Sequence, residues 1–318
     1  MKYRVLFLTL CMSAALILPA AAVTLTIDQV NNAAPIAENL TLTTYKDVAV
    51  HGQFAAVDPE GDLITFQLVD TPARGQVTIH EDGSGAFCYT PYEGKKGKDS
   101  FSYVAIDSNG NRSQQATVKV TIQKQATAVR YADMEGHEAH YSALRLAEAG
   151  VFVGSRTGDI HCFEPDRSVS REEFLAMAMA AAGEEALGGV TMTGFYDDSS
   201  ISVWAKGYVS AALVSGTVQG SADSEGRMVF HPAAPVTAAE AAVIIDRLLA
   251  SGDVATESAM ADQSVPAWAY QSVVNMRAVD VVPASLSLSD FLTRAQAARM
   301  LSAMLDVLES RETGGWFQ

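Results

Sequence analysis

Between about residues 34 and 122, apolar and polar positions alternate in short runs. "DLITFQLV", "GQVTIH", "GAFCYTP", "DSFSYVAID" and "ATVKVTI" are rich in β-branched and aromatic residues, the period-two signature of half-buried strands. Turn-forming clusters, "DPEGD", "EDGSG", "EGKKGKD" and "DSNGN", separate them. Strands at that spacing predict an antiparallel β-sandwich. "QKQATAVR" (123–130) is polar and short, and reads as a linker.

From about residue 131 the period lengthens. "YSALRLAEAGV" places Tyr141, Leu144, Ala147 and Val151 on one helical face. "EEFLAMAMAAAG" places Phe174, Met177, Ala178 and Ala181 at the i, i+3, i+4, i+7 spacing of an amphipathic helix. "AAVIIDRLL" and "AARMLSAMLDVL" repeat the pattern, so an α-helical half is expected. Three of its helices open on a capping box: Ser170 with Glu173, Thr237 with Glu240, and Thr293 with Gln296. In each, a hydroxyl can satisfy a free backbone N–H while the residue three positions on reaches back.

What precedes each box also recurs. An aspartate stands upstream at Asp133, Asp197 and Asp262, and a Trp-Ala pair follows the second and third, at Trp204 and Trp268. Two units carry an aromatic-x-Pro loop, Phe163/Pro165 and Phe230/Pro232, which the third shortens to "VVPASLSLSDF". A fixed period of this kind marks units that bury their apolar faces against one another.

Arg171 and Arg294 fall at the first helical position, facing the positive end of the helix dipole, an unfavourable placement by roughly 0.3–1 kcal/mol. One reading is a solvated arginine that points away. The other is an anion site assembled from free N–H groups, dipole and guanidinium, whose planar fork suits a carboxylate.

The segment 131–309 resembles three tandem S-layer homology repeats. The matches are Tyr131/Asp133, Gly150/Gly154, Phe163/Pro165 and "SREEF"; Phe195/Asp197, Trp204, Gly216/Gly220, Phe230/Pro232 and "TAAEA"; and Asp262, Trp268 and "TRAQA". The resemblance implies a three-pronged helical spindle of pseudo-threefold symmetry that binds secondary cell-wall polysaccharides, commonly pyruvylated ones, in grooves between prongs. By that likeness Arg171 and Arg294 would meet a ligand carboxylate, and Trp204 and Trp268 would face sugar rings or pack in the core. Asp133, Asp197 and Asp262 would bond hydroxyls or brace loops. Ala238 replaces the arginine in the second unit, and Glu138 stands where the first would carry its Trp. At most two of three grooves are therefore expected to be competent.

The segment 34–122 resembles bacterial cadherin-like, immunoglobulin-like modules of surface proteins. Asp58, Glu60 and Asp62 cluster in "DPEGD", and Asp107 lies in another acidic turn. Such oxygen-rich loops can take Ca²⁺, although each also reads as an ordinary Asp/Gly turn. No other cofactor is expected.

Charge and composition narrow the partners. A net charge of -15 over 318 residues argues against nucleic acid, which needs a basic surface. Lys2, Arg4, the apolar run "VLFLTLCMSAALILPA" and the small residues at 20–22 read as a secretory signal; a retained anchor is the lesser reading. Cys88 and Cys162 fall in different domains and are expected as inert thiols.

The expected plan is multidomain: an all-β immunoglobulin-like sandwich followed by an all-α pseudo-threefold repeat domain. Its parts are a signal peptide (1–22), a linker (23–33), the sandwich (34–122), a linker (123–130), repeats at 131–190, 191–252 and 253–309, and a tail (310–318). The expected function is a non-catalytic, exported protein of the cell wall or S-layer, with an acidic polysaccharide as partner and no membrane span once the signal is cleaved. An adhesin that also binds other surface proteins, or a minor S-layer component, is the alternative. An enzyme is less favoured: His137, Glu138 and His140 in "HEAH" lack the i, i+4 spacing and third ligand of a zinc site.

Overall fold

The computed structural model describes residues 32–254 and 265–312. The proposed signal peptide and Asp262 lie outside them. The alternating segment folds into nine strands: β1 (Ile36–Ala37), β2 (Leu40–Tyr45), β3 (Val50–Gln53), β4 (Ala56–Val57), β5 (Thr65–Asp70), β6 (Gly75–Ile79), β7 (Ala86–Pro91), β8 (Gly97–Ile106) and β9 (Ala116–Gln123). Two sheets, ordered β2-β9-β8-β5 and β3-β7-β6, face each other, and β1 pairs with β4. One pair departs from the antiparallel expectation: β2 runs parallel to β9, with Leu40 opposite Val118. Period-two alternation sets which face is buried but not the direction of a neighbour, so this pairing was not readable from the pattern.

The sandwich core is aromatic. Phe54 stacks on Phe87 and Tyr103 with centroids 4.3 and 4.2 Å apart, and Phe101, Val118, Val120 and Ile122 close around them. The buried Tyr103 hydroxyl lies 2.7 Å from the Glu38 carbonyl and 2.8 Å from that of Ala55. It thereby holds the chain on either side of β3 at the sandwich edge.

The second half corrects the all-α expectation. Its helices are α1 (His140–Glu148), α2 (Arg171–Ala181), α3 (Lys206–Ser215), α4 (Ala238–Leu249), α5 (Tyr270–Ala278) and α6 (Arg294–Glu312). Between them run two antiparallel hairpins, β10 (Ser155–Thr157) with β11 (Ile160–Cys162), and β12 (Ser221–Ala222) with β13 (Met228–Val229). These stretches are too short for a helix to repay its nucleation. Gly158 and Gly226 turn them back at φ +63° and +79°, a conformation glycine adopts without a Cβ penalty.

The capping boxes form in all three units. Ser170 and Thr237 accept from the amides of Glu173 and Glu240, whose carboxylates accept in return. Thr293 and Gln296 exchange the same pair of bonds, at 2.9 and 3.2 Å. The helix starts then interlock in a ring. Arg171 and Glu172 donate their amides to the Ala234 and Pro232 carbonyls, Ala238 and Ala239 to Asp290 and Leu288, and Arg294 and Ala295 to Arg167 and Pro165. Each pair consists of orphan N–H groups at a helix start, satisfied by the loop of a neighbouring unit.

The two halves share a core. Tyr45, the last residue of β2, and Val48, in the turn after it, are buried in the cluster that contains Met134, Leu144, Phe163 and Phe174. Tyr45 packs on Tyr141 with centroids 5.4 Å apart. Among the described residues no helix is long and apolar enough to cross a membrane.

Candidate functional site

The interlock decides what the helix starts can bind. The amides that an anion would have to meet are already bonded to carbonyls, so an anion site built on free N–H groups is not present at Arg171 or Arg294. What remains is side-chain chemistry in the clefts between units.

The best-equipped cleft, of about 400 Å³, draws on all three units. The first supplies Arg171 at the start of α2. The second supplies the turn Thr217–Ser221 and, from α4, Glu240, Val243, Ile244 and Arg247; the third supplies Trp268. Arg171 Nη1 donates to Glu240 Oε1 at 2.8 Å, and its guanidinium lies 5.5 Å from the Phe230 ring centroid. Its Nε is buried without a partner among the described residues. Arg247 is exposed and donates to the Thr217 carbonyl at 3.1 Å, which fixes its stem while its other donors meet no partner among the described residues. Trp268 is 63% exposed. Two guanidiniums and an open indole beside an apolar strip can offer charge-assisted bonds to a carboxylate and a flat face to a ring.

Two further clefts are poorer. In one, of about 300 Å³, Glu138 takes the place of the indole and pairs with Arg299 at 2.9 Å, while Ala238 offers no cation. The other, of about 520 Å³, contains Trp204, 55% exposed, with Arg167 as its cation. Arg167 is held by Glu173 at 2.8 Å.

The sequence-predicted residues are thus dispersed. Arg171 and Trp268 meet in one cleft, and Trp204 lines another. Arg294 lines none of these three: its Nη1 donates to the Phe163 carbonyl at 2.7 Å, and its guanidinium lies 4.9 Å from the Phe152 centroid. Burial, with the charge of Arg167, pushes its pKa below the usual arginine value. Asp133 and Asp197 brace loops. Asp133 accepts from the amides of Phe163 and Glu164, at 2.9 and 2.7 Å. Asp197 does the same for Phe230 and His231, at 2.9 and 2.8 Å. Sequence reasoning missed Arg247, although its position two turns after Glu240 places both on one face of α4.

On the sandwich, carboxylate oxygens of Asp58, Asp62 and Asp107 lie within 4.8 Å of one another. Glu60 stands apart from this group and accepts from the Ala33 amide at 3.2 Å. Burial raises the Asp107 pKa, but hydrogen bonds from Asn111, Asn109 and Asn32 outweigh it and hold the carboxyl below its ordinary value.

Comparison with known proteins agrees with the sandwich. Residues 32–121 match the family of the bacterial Ig domain. The chain is 27% identical over 158 residues to the surface-layer 125 kDa protein of Lysinibacillus sphaericus, covering 46% of this chain and 13% of that protein. It is 35% identical over 136 residues to the exoglucanase XynX of Acetivibrio thermocellus, covering 41% and 12%. It therefore spans only a small part of the length of either relative. Among solved structures, an endo-fucoidan hydrolase of glycoside hydrolase family 107 aligns with a TM-score of 0.25 at 23% identity, over 30% of this chain and 14% of that one. The segment 32–121 is a bacterial immunoglobulin-like domain.

Proposed function

We propose that this is a non-catalytic cell-envelope protein that holds an acidic wall polysaccharide through S-layer homology-like repeats and displays its Ig-like domain at the cell surface. The observation that carries the reading is the cleft in which Arg171, Arg247 and Trp268, one from each unit, face the same space. Relatives among surface-layer and polysaccharide-degrading proteins support it. In this reading Arg247 takes the ligand carboxylate and Trp268 stacks on the adjoining ring. Arg171 contributes from behind its pair with Glu240. One cleft carries the interaction: in one counterpart Ala238 and Glu138 replace Arg171 and Trp268, and in the other Arg294, buried on the Phe163 carbonyl, does not join Trp204.

Sedimentation with purified cell walls tests this. Arg247→Ala is expected to reduce retention at least tenfold without changing the melting temperature, since the side chain is exposed. Walls stripped of acidic substituents should retain the wild type no better than the variant. Arg294→Gln, assayed well below its melting temperature, should bind like the wild type. Full retention of Arg247→Ala would overturn the assignment.

A further inference from the structure

The lysines are not spread evenly over the chain. Of eight, five stand at the end of the sandwich that packs on the repeats. Lys46 follows β2, Lys124 follows β9, and Lys95, Lys96 and Lys98 lie where β7 returns as β8. The strand registers bring these points together. The Lys46 amide donates to the Gln123 carbonyl at 2.8 Å, Lys98 stands opposite Thr121, and the Gly94 amide donates to Asp47 Oδ1 at 2.6 Å. All five side chains are exposed. Lys46 pairs with Asp47 at 3.3 Å, whereas the other four form no ion pair among the described residues. Asp99, the acid next in sequence to Lys98, is taken up by the amides of Ala73 and Arg74, at 3.0 and 2.8 Å. In a chain of net charge -15, this is a local reversal of sign.

A cleft of about 500 Å³ opens between this end and the first repeat, lined by Lys46, Lys124 and Arg130 with Val48, Ala128 and Leu144 beneath them. Arg130 is exposed and has no ion pair among the described residues. Of the two acids in the cleft, Asp47 is occupied by the Gly94 amide and Lys46, which leaves Glu135 against three cations. We propose that this cleft, extended by Lys95, Lys96 and Lys98, is a second binding site, for a linear polyanion with charges repeated along its chain. The choice of cation favours such a ligand. An ammonium is a point charge on a flexible stem and can follow charges that recur at varied positions, whereas the guanidinium fork suits one fixed carboxylate. A polyanion neutralised by several cations also releases its own counterions, which makes the attraction sensitive to salt. Phosphate and carboxylate polymers share this chemistry. The site is independent of the Arg247 cleft, and its occupation would lay the Ig-like domain along the polymer instead of leaving it to project.

Calorimetric titration of the full chain with inorganic polyphosphate and with polygalacturonate tests the site and separates the two sources; phosphatidylglycerol vesicles are the third probe. Binding of at least one polymer is expected, weakening by at least about tenfold between about 50 and 200 mM NaCl. The double variant Lys46→Gln/Lys124→Gln should bind that polymer about tenfold more weakly, and adding Lys95→Gln, Lys96→Gln and Lys98→Gln should abolish binding. The melting temperature should hold in both, because the side chains are exposed. Arg112→Gln, in the loop at the opposite end of the sandwich, should bind like the wild type. Soluble polymers replace whole walls here, so the result is separate from wall retention by Arg247→Ala. Undiminished binding in the variant lacking all five lysines, an equal loss in Arg112→Gln, or binding to the vesicles and to neither polymer would each overturn the proposal.

Discussion

At the scale of single residues, the same residue type at the same repeat position does different work. Arg171 and Arg294 both follow a capping hydroxyl, yet one lines a cleft beside Glu240 and the other is buried against a carbonyl and a ring. The aspartates are more uniform. Asp133 and Asp197 each hold two successive loop amides, at positions where Glu164 and His231 take φ +58°. Those left-handed residues are strained, and the paired bonds from a charged acceptor keep them in place. Asp197→Ala is therefore expected to lower stability by about 2–3 kcal/mol, the cost of losing hydrogen bonds to a charged group, as measured by urea denaturation. Wall binding assayed well below the melting temperature should survive, because the carboxylate acts on its own loop. A variant of wild-type stability that no longer bound walls would instead make Asp197 a ligand contact.

At the scale of elements, the turn after α3 links backbone geometry to the cleft. Gly216 ends the helix at φ +79° with open space where a Cβ would sit. Gly220 has φ +73°, and a Cβ there would come within 2.7 Å of the Val229 carbonyl and closer still to the Phe195 ring. Gly216→Ala should cost about 1–2 kcal/mol, the penalty of a left-handed non-glycine residue. Gly220→Ala should cost more and also reduce wall retention, because the Thr217–Ser221 turn that must shift lines the cleft. Equal stability and binding for the two variants would show that the turn absorbs the clash. The helices, their caps and the sandwich strands were legible in the sequence, since 3.6 and 2.0 periodicities and S/T-x-x-E/Q boxes report local conformation directly. The hairpins β10-β11 and β12-β13 were not, because runs of two or three residues are too short for a period. Nor was the burial of Arg294, which depends on the Phe163 loop lying 131 positions away in the chain. The cleft was half legible. Arg171 and Trp268 were marked by the repeat, whereas Arg247 is absent from the corresponding positions of the other units and so carried no repeat signal.

At the scale of the whole molecule, the joint between the halves determines whether the Ig-like domain swings freely or moves with the repeats. Tyr45 belongs to a strand of the sandwich and Tyr141 to α1, yet both lie in one apolar cluster. Close by, the Thr127 amide of the connecting segment donates to Glu148 Oε1 at 2.6 Å. A linker anchored at both ends, with a shared core beneath it, couples the two units energetically. The wild type is thus expected to melt in one calorimetric transition. Tyr45→Ala removes a buried ring, a change that costs about 3–5 kcal/mol in a core, and should split the melt into two. Alkali offers a second route to the same joint. Burial, reinforced by the charges of Tyr141 and Glu148, raises the Tyr45 pKa far above its ordinary value of 10. The unfolded chain ionises this phenol near pH 10 while the folded chain keeps it neutral. Its contribution is therefore fully present below pH 10 and is lost as the pH rises from there towards the folded pKa. Stability should fall above pH 10, with less of that fall in Tyr45→Ala, as followed by calorimetry and by tyrosinate absorbance. Two transitions in the wild type at neutral pH would show that the halves fold independently, leaving the Ig-like domain tethered to the repeats by residues 123–130 rather than fixed on them.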